Sequence, residues 1–318
     1  MANLNAIWDK YKDEYNPGIR EMFSFDGVTY GFPLTVSYWP VFYNAKVFNK
    51  LGLTPPQTWK EYQIVCSKLK SHKIIPMLGT VEGGWTTFIH FEQFVIGEGP
   101  KLYQDLMAGR VKYTDQRVRR AMMVWRDMIQ RGYFSPPTVD MFKDAPKMFK
   151  DGSLAMIQAG TWYTGTLLET KISQEDIGYF ILPSQNPKAG KNLVIESIPI
   201  LLSEKSPHKK EAMKIAEWWM SAKGSGFSAG LLNAYPGNIK ANRTHLSSAK
   251  KGLLTAISSQ NVGLINRFWE ATPVPIAEAV VAILPEFITN PKSLDSVLVK
   301  MEDAAAKHWN QQKRNIAH

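Results

Sequence analysis

Residues 30–62 read YGFPLTVSYWPVFYNAKVFNKLGLTPPQTWKEY. Thr35 to Tyr43 is rich in β-branched and aromatic side chains, which suit a pleated surface, and predicts a strand. Pro40 removes one amide donor from it, so an edge or a bend is expected there. Asn44 closes a turn into a short helix, and Pro55-Pro56 opens a loop. Thr58-Trp59-Lys60-Glu61 then has the pattern of a capping box. The Thr58 hydroxyl can accept from the amide of Glu61, and the Glu61 carboxylate can return to the amide of Thr58. A helix to about His72 follows. A strand feeding a capped helix that leads to another short apolar run, 74–78, is the grammar of an α/β chain.

The same alternation continues in both directions. Asp26-Gly27 marks a turn between two strand-like runs over 23–33. A helix is predicted over about 86–95. Residues 115–131 carry Val118, Ala121, Met122, Trp125, Met128 and Ile129 on one stripe, with Gly132 placed to end the helix. A short helix over 142–150 closes at Gly152, and 154–158 reads as a buried strand. Further strands are expected at 177–182 and 193–202. Ser206-Pro207 suits the start of a helix reaching Ser221; it would bury the Trp218-Trp219 pair. Residues 224–237 read as a Gly-rich loop. The remaining helices are expected at 247–258, 262–269, 275–288 and 293–309, with a loose tail over 311–318.

Composition narrows the function. The 318 residues are 44% apolar and 21% charged, a globular balance with ample core. Net charge is +10, but the basic residues are scattered, apart from pairs such as Arg119-Arg120, Lys209-Lys210 and Lys250-Lys251. A nucleic-acid binder concentrates them on one face, so these pairs read as solvated surface. Cys66 is the only cysteine. With Tyr62, Val65 and Leu69 at spacings of three and four, it reads as a buried structural thiol. The six histidines lack metal-ligand spacing, and no cofactor motif is present. Ten tryptophans offer flat apolar faces of the kind that stack on sugar rings. The opening MANLNAIWDKYKDEYNPG lacks the basic start and apolar run of a signal peptide.

Several landmarks come in a recognisable order: DGVTYGFP at 26–33, FYNAKVFNKLGL at 42–53, IIPMLG at 74–79 before GGW at 83–85, FKDGSLAMIQAGTW at 149–162, and AYPGN at 234–238. In this order they resemble the sugar-binding proteins of bacterial ABC importers, the family-1 extracellular solute-binding proteins related to maltose-binding protein. The resemblance implies an α/β, two-lobe, type II periplasmic-binding-protein fold. Residues 1–38 and 195–236 would form one lobe, and 39–194 and 237–318 the other. The lobes would be joined by crossings at 35–43, 193–202 and 235–239. It further implies a sugar or oligosaccharide ligand, ABC permease subunits as partners, a monomer, and a periplasmic or cell-surface location for full-length relatives. In the family the stretch at 30–62 lies well inside the chain. The resemblance therefore implies an incomplete first lobe, truncated at its N-terminus, and weak ligand binding.

The candidate ligand-binding residues are Trp85, after Gly83-Gly84; Trp162, after a buried strand and Gly160; Trp269; Tyr235, on the expected third crossing; Trp39, on the first; and Glu196, a lone acid in an apolar strand. Each has a plainer reading as a packed core residue or, for Glu196, as a strand-edge acid. The rival function is a glycoside hydrolase, which needs two carboxylates flanking the scissile bond. Glu82, Glu92, Glu196 and Glu270 are available, but their spacing pairs none of them.

Overall fold

The computed structural model describes residues 1–316. Asp26 and Gly27 form the expected turn. Both have positive φ, 48° and 77°, as a two-residue hairpin turn requires, and they join β1 (Ser24–Phe25) to β2 (Val28–Thr29). After β3 (Gly31–Pro33) come β4 (Ser37–Tyr38) and β5 (Val41–Asn44), the two halves of the aromatic strand. Trp39 and Pro40 separate them, and the chain changes sheets at that point. β5 enters a four-stranded sheet with β6 (Ile75–Met77), β7 (Leu154–Gln158) and β8 (Ile177–Phe180), in the order β6-β7-β5-β8. β4 enters a three-stranded sheet beside β9 (Asn192–Glu196). β10 (Pro199–Leu201) pairs antiparallel with β3, and β11 (Gly263–Asn266) runs parallel to β9.

Two apolar clusters form. The larger gathers the four-stranded sheet and the helices Trp59–Ser71, Phe88–Glu98, Gln116–Gln130, Val274–Thr289 and Leu294–Ile316. The smaller holds Trp8, Phe32, Tyr38, Leu193, Ile195, Tyr235, Leu246 and Leu253. β9 faces both. Leu193 and Ile195 point into the smaller cluster and Val194 into the larger, because alternate strand residues face opposite sides. The helices start where their caps dictate. The Thr58 hydroxyl accepts from the Glu61 amide at 3.2 Å. The Glu61 carboxylate reaches one residue further back than the capping box predicts, to the Gln57 amide at 2.7 Å. Asp115 caps Gln116–Gln130, whose Val118, Ala121, Met122, Trp125 and Met128 are buried. The Asn44 side chain caps Ala45–Lys50 through the Val47 amide and donates to the Phe149 carbonyl.

Two of the expected crossings are displaced. The return is complete before residue 193, because β9 already lies in the smaller sheet; the chain passes over between β8 and β9. Residues 235–239 do not cross. Tyr235 belongs to the smaller cluster, and a Cβ on Gly237 would meet Tyr15 and Pro33 at about 3 Å. The third passage comes after β11, between Ile265–Asn266 in the smaller sheet and Phe268 in the larger cluster. The segment 237–266, assigned by resemblance to the second lobe, thus packs largely with the first.

Four local readings also change. Residues 262–269 are not one helix but β11 followed by the short helix Phe268–Ala271. The Gly-rich stretch is mostly helical, Ala222–Leu231, with Ser221 as N-cap. Trp218 is 39% exposed rather than core, and the helix carrying it begins at Lys209, with Ser206 accepting from the His208 amide in the turn before. The C-terminal helix runs from Leu294 through Ile316, so 311–316 is not a loose tail; residues 317 and 318 lie outside the described residues.

A Cβ on Gly224 would sit 2.2 Å from the Trp218 carbonyl oxygen, so this glycine is what lets two successive helices meet. Gly224→Ala should lower stability by roughly 1–3 kcal/mol through overpacking, despite alanine's better helix propensity. Urea unfolding curves of the two proteins check this.

Candidate functional site

A cleft of about 550 Å³ opens at the C-terminal ends of the parallel strands β9 and β11, where open α/β sheets commonly place ligands. One wall is Thr161 to Gly165, leaving β7. The other includes Thr35, Glu196 and Lys250. A second, larger groove of about 630 Å³ lies over the helix Ala145–Asp151, lined by Lys143, Lys147 and Lys150. None of its polar side chains is buried, and the chemistry concentrates in the cleft.

Trp162 stands on the cleft wall, 38% exposed. Its indole N–H donates to the Glu196 carboxylate. Gly160 makes this bond possible, since a Cβ there would meet the indole nitrogen at 2.2 Å and the Glu196 oxygen at 2.7 Å. The Trp162 ring lies nearly parallel to exposed Phe142 (6.2 Å, 20°) and close to Trp85 (6.3 Å) and Trp39 (6.0 Å). Trp85 follows Gly83 and Gly84, whose φ values of 80° and 67° favour glycine. Trp39 is buried beneath.

An arginine at the third passage organises the carboxylates. Parallel pairing of β9 and β11 brings Arg267, one residue past β11, next to Glu196 at the end of β9, and the Arg267 amide donates to the Ile195 carbonyl at 3.1 Å. The guanidinium pairs with Glu196 and holds both oxygens of Glu270. It also lies 5.5 Å over the Trp39 ring. Glu92, from the helix Phe88–Glu98, is fully buried and accepts from the Phe268 amide at 2.7 Å. Burial drives the Glu92 carboxyl well above its usual range, against the Phe268 bond and the Arg267 charge. Burial also raises Glu196, opposed chiefly by Arg267.

Of the six candidates, Trp162 and Glu196 line the cleft. Trp85 and Trp39 support the Trp162 ring from behind. Trp269 packs on Phe88 at 6.2 Å, in the larger cluster. Tyr235 is 1% exposed, edge-on to Tyr38 at 5.0 Å, and its hydroxyl donates to the Lys250 carbonyl. That position corrects the expectation that it faces the cleft: its ring fills the smaller core. Sequence reasoning missed Arg267, because a strand was read as helix there. It missed Lys250 by reading a basic pair as surface, and Phe142 for want of any local signal. It also left Glu92, Glu196 and Glu270 unpaired, and the fold gathers all three around one cation.

The family model "Bacterial extracellular solute-binding protein" matches residues 1–225. An uncharacterised ABC transporter extracellular-binding protein of Pyrococcus horikoshii is 29% identical over 226 residues, 69% of this chain and 50% of that protein. A multiple sugar-binding protein of Streptococcus mutans is 23% identical over 229 residues, 70% of this chain and 52% of its own. The chain thus matches about half the length of these curated relatives. Among solved structures, a chitin oligosaccharide binding protein superposes with a TM-score of 0.81 at 21% identity, covering 96% of this chain and 78% of that one. The bacterial solute receptor AcbH, described as having an exclusive preference for β-D-galactopyranose, gives 0.82 at 19%, covering 96% and 80%. At such identities these structures establish the fold, two lobes of mixed helix and sheet.

Because the folded-state value of Glu92 is raised, the fold favours its protonated form. That contribution is fully present below the ordinary value of 4.5 and is lost as pH rises through the raised one. Glu92→Gln keeps an acceptor for the Phe268 amide and carries no charge. In thermal melts it should match or exceed the parent at pH 8, with an advantage that grows with pH. A loss of more than about 1 kcal/mol at pH 8 would mean that the charge itself supports the fold.

Proposed function

The chain belongs to the bacterial extracellular solute-binding protein family, and on that premise we propose that it captures a sugar or oligosaccharide in the cleft at Trp162 and delivers it to the permease subunits of an ABC transporter. The observation that carries this reading is Trp162 itself. A large indole remains 38% exposed on a cleft wall, fixed by a hydrogen bond to a buried carboxylate and backed by three further aromatic rings. Such a surface suits the apolar face of a pyranose. The sugars named for two structural neighbours, a chitin oligosaccharide and β-D-galactopyranose, support the same class. The membership implies a periplasmic or cell-surface setting for full-length relatives.

The lobe division we propose follows the two clusters: 1–38 with about 183–266, and 39–182 with 267–316. Residues from both sides line the cleft. A ligand touching both would bind the closed form better than the open one and draw the lobes together. A single chain suffices for this step.

Hydrolysis fits the carboxylates less well. A glycosidase needs two of them free on either side of the scissile bond. Here both oxygens of Glu270 are held by Arg267, Glu92 serves the Phe268 amide, and Glu196 is shared between Trp162 and Arg267.

Calorimetric titration with mono- and oligosaccharides tests the reading. Sugar should bind without turnover, and Trp162→Ala should weaken the tightest ligand by about tenfold or more, with Trp162→Phe retaining part of the affinity. Unchanged affinity in the alanine variant would remove Trp162 from the site. Release of product from a glycoside would favour the hydrolase. The same titration measures the weak binding expected from the sequence.

A further inference from the structure

Lys250 lines the same cleft as Trp162. The neighbouring Lys251 is exposed, but Lys250 is 1% exposed. Its ammonium donates to the Asn233 carbonyl oxygen at 2.5 Å and approaches Asn233 Oδ1 at 3.4 Å. Both acceptors are neutral and both belong to one residue. The Tyr235 ring lies 6.0 Å away. Among the described residues no carboxylate pairs with this cation. An ammonium has three N–H donors, so at least one has no acceptor among the described residues.

The protein answers part of this charge. Asn233 lies just past the helix Ala222–Leu231, and the C-terminal end of a helix acts as about half a negative charge. The rest is unmatched, and burial pushes the Lys250 ammonium down to about 8, which leaves it charged at neutral pH. Arg267, the other cation lining the cleft, is in the opposite situation, with Glu196 and Glu270 neutralising it. The cleft therefore carries one cation already neutralised and one whose counter-charge has yet to be supplied.

We propose that the ligand is an acidic sugar, whose carboxylate or phosphate pairs with Lys250 while its ring lies against Trp162. This deepens the sugar-binding reading and rests on it. A neutral sugar would give the ammonium only hydroxyl oxygens. An anionic group gives it a charge-assisted hydrogen bond in a site shielded from water, where such bonds are strongest.

The test is a set of matched pairs titrated calorimetrically at neutral pH: galacturonate against galactose, glucuronate against glucose, their disaccharides, and the 6-phosphates of both hexoses. At least one acidic member should bind about tenfold or more tightly than its neutral parent. Whether the uronates or the phosphates win identifies the anion. Lys250→Gln, which retains a donor for the Asn233 carbonyl and loses the charge, should bring that ratio to about one. Lys250→Arg should keep most of it. Neutral parents binding as tightly as their acidic partners would overturn the proposal from the unmodified protein alone, whatever the folding of the variants. A preference that survives in Lys250→Gln would also overturn it. Either result leaves the sugar-binding reading standing, whereas absence of binding by every sugar would overturn both.

Discussion

One missing hydrogen shapes the molecule more than any single contact. Pro40 has no amide N–H, so the aromatic strand over 35–43 cannot run through it as one ladder. Tyr38 pairs with Ile195 in one sheet, and Val41 pairs with Gln158 and Phe180 in another. Trp39 is left between the two ladders, buried, with its amide donating to Val194 of β9. The rings of Trp85 and Trp162 and the Arg267 guanidinium all meet on Trp39. The aromatic wall of the cleft is thus a local consequence of where the chain must leave its first sheet.

Arg267 sits at another passage and does the electrostatic work there. It gathers Glu196 from the smaller sheet and Glu270 from the following turn of helix, and its charge reaches Glu92 from the larger cluster. Removing a half-buried guanidinium and its carboxylates from water carries a desolvation penalty comparable with the attraction gained. Such a cluster is a poor source of net stability, but it is exacting about geometry. With one partner misplaced, a buried carboxylate loses its counter-charge, at about 3–5 kcal/mol. The cluster therefore fixes the register between the end of β9, the end of β11 and the helix Phe88–Glu98, and it presents Trp162 at a set angle through Glu196.

What the sequence disclosed were local signals with local causes. The Asp26-Gly27 turn, the Thr58 cap, the stripe from Val118 to Met128 and the strand Leu154–Gln158 each depend on residues within one turn or one strand, and each forms, with only the Glu61 return bond shifted to Gln57. The misread segments answer to distant partners. Residues 263–266 carry no alternation that marks a strand; they become one because β9 offers an open parallel edge. Glycines 224, 226 and 230 look like loop residues until the Trp218 carbonyl is seen to leave no room for a side chain at 224. Lys250 looks like half of a basic pair until Ser247 caps its helix and one residue of the pair turns inward. Site membership failed for the same reason. Trp162 was legible beside its strand and glycine, whereas Arg267 depends on strand pairing across seventy residues of chain.

The shared strand also limits how the two lobes can move. Leu193 and Ile195 are packed in one cluster and Val194 in the other, so sliding across β9 would break dry contacts on both faces. The passages at Trp39–Pro40, between β8 and β9, and at Arg267 are the places where rotation disturbs least. Glu196 and Arg267 lie on adjacent strand ends and keep their separation through such a rotation. By the proposed division Trp162 lies across the cleft from both Glu196 and Lys250, so opening would part the indole from both and break its hydrogen bond to Glu196. A ligand held only by the Glu196–Arg267 end would bind open and closed forms alike and shift nothing. A ligand that spans the indole and the ammonium has its full set of contacts only when the cleft is closed, and it can therefore convert binding into closure.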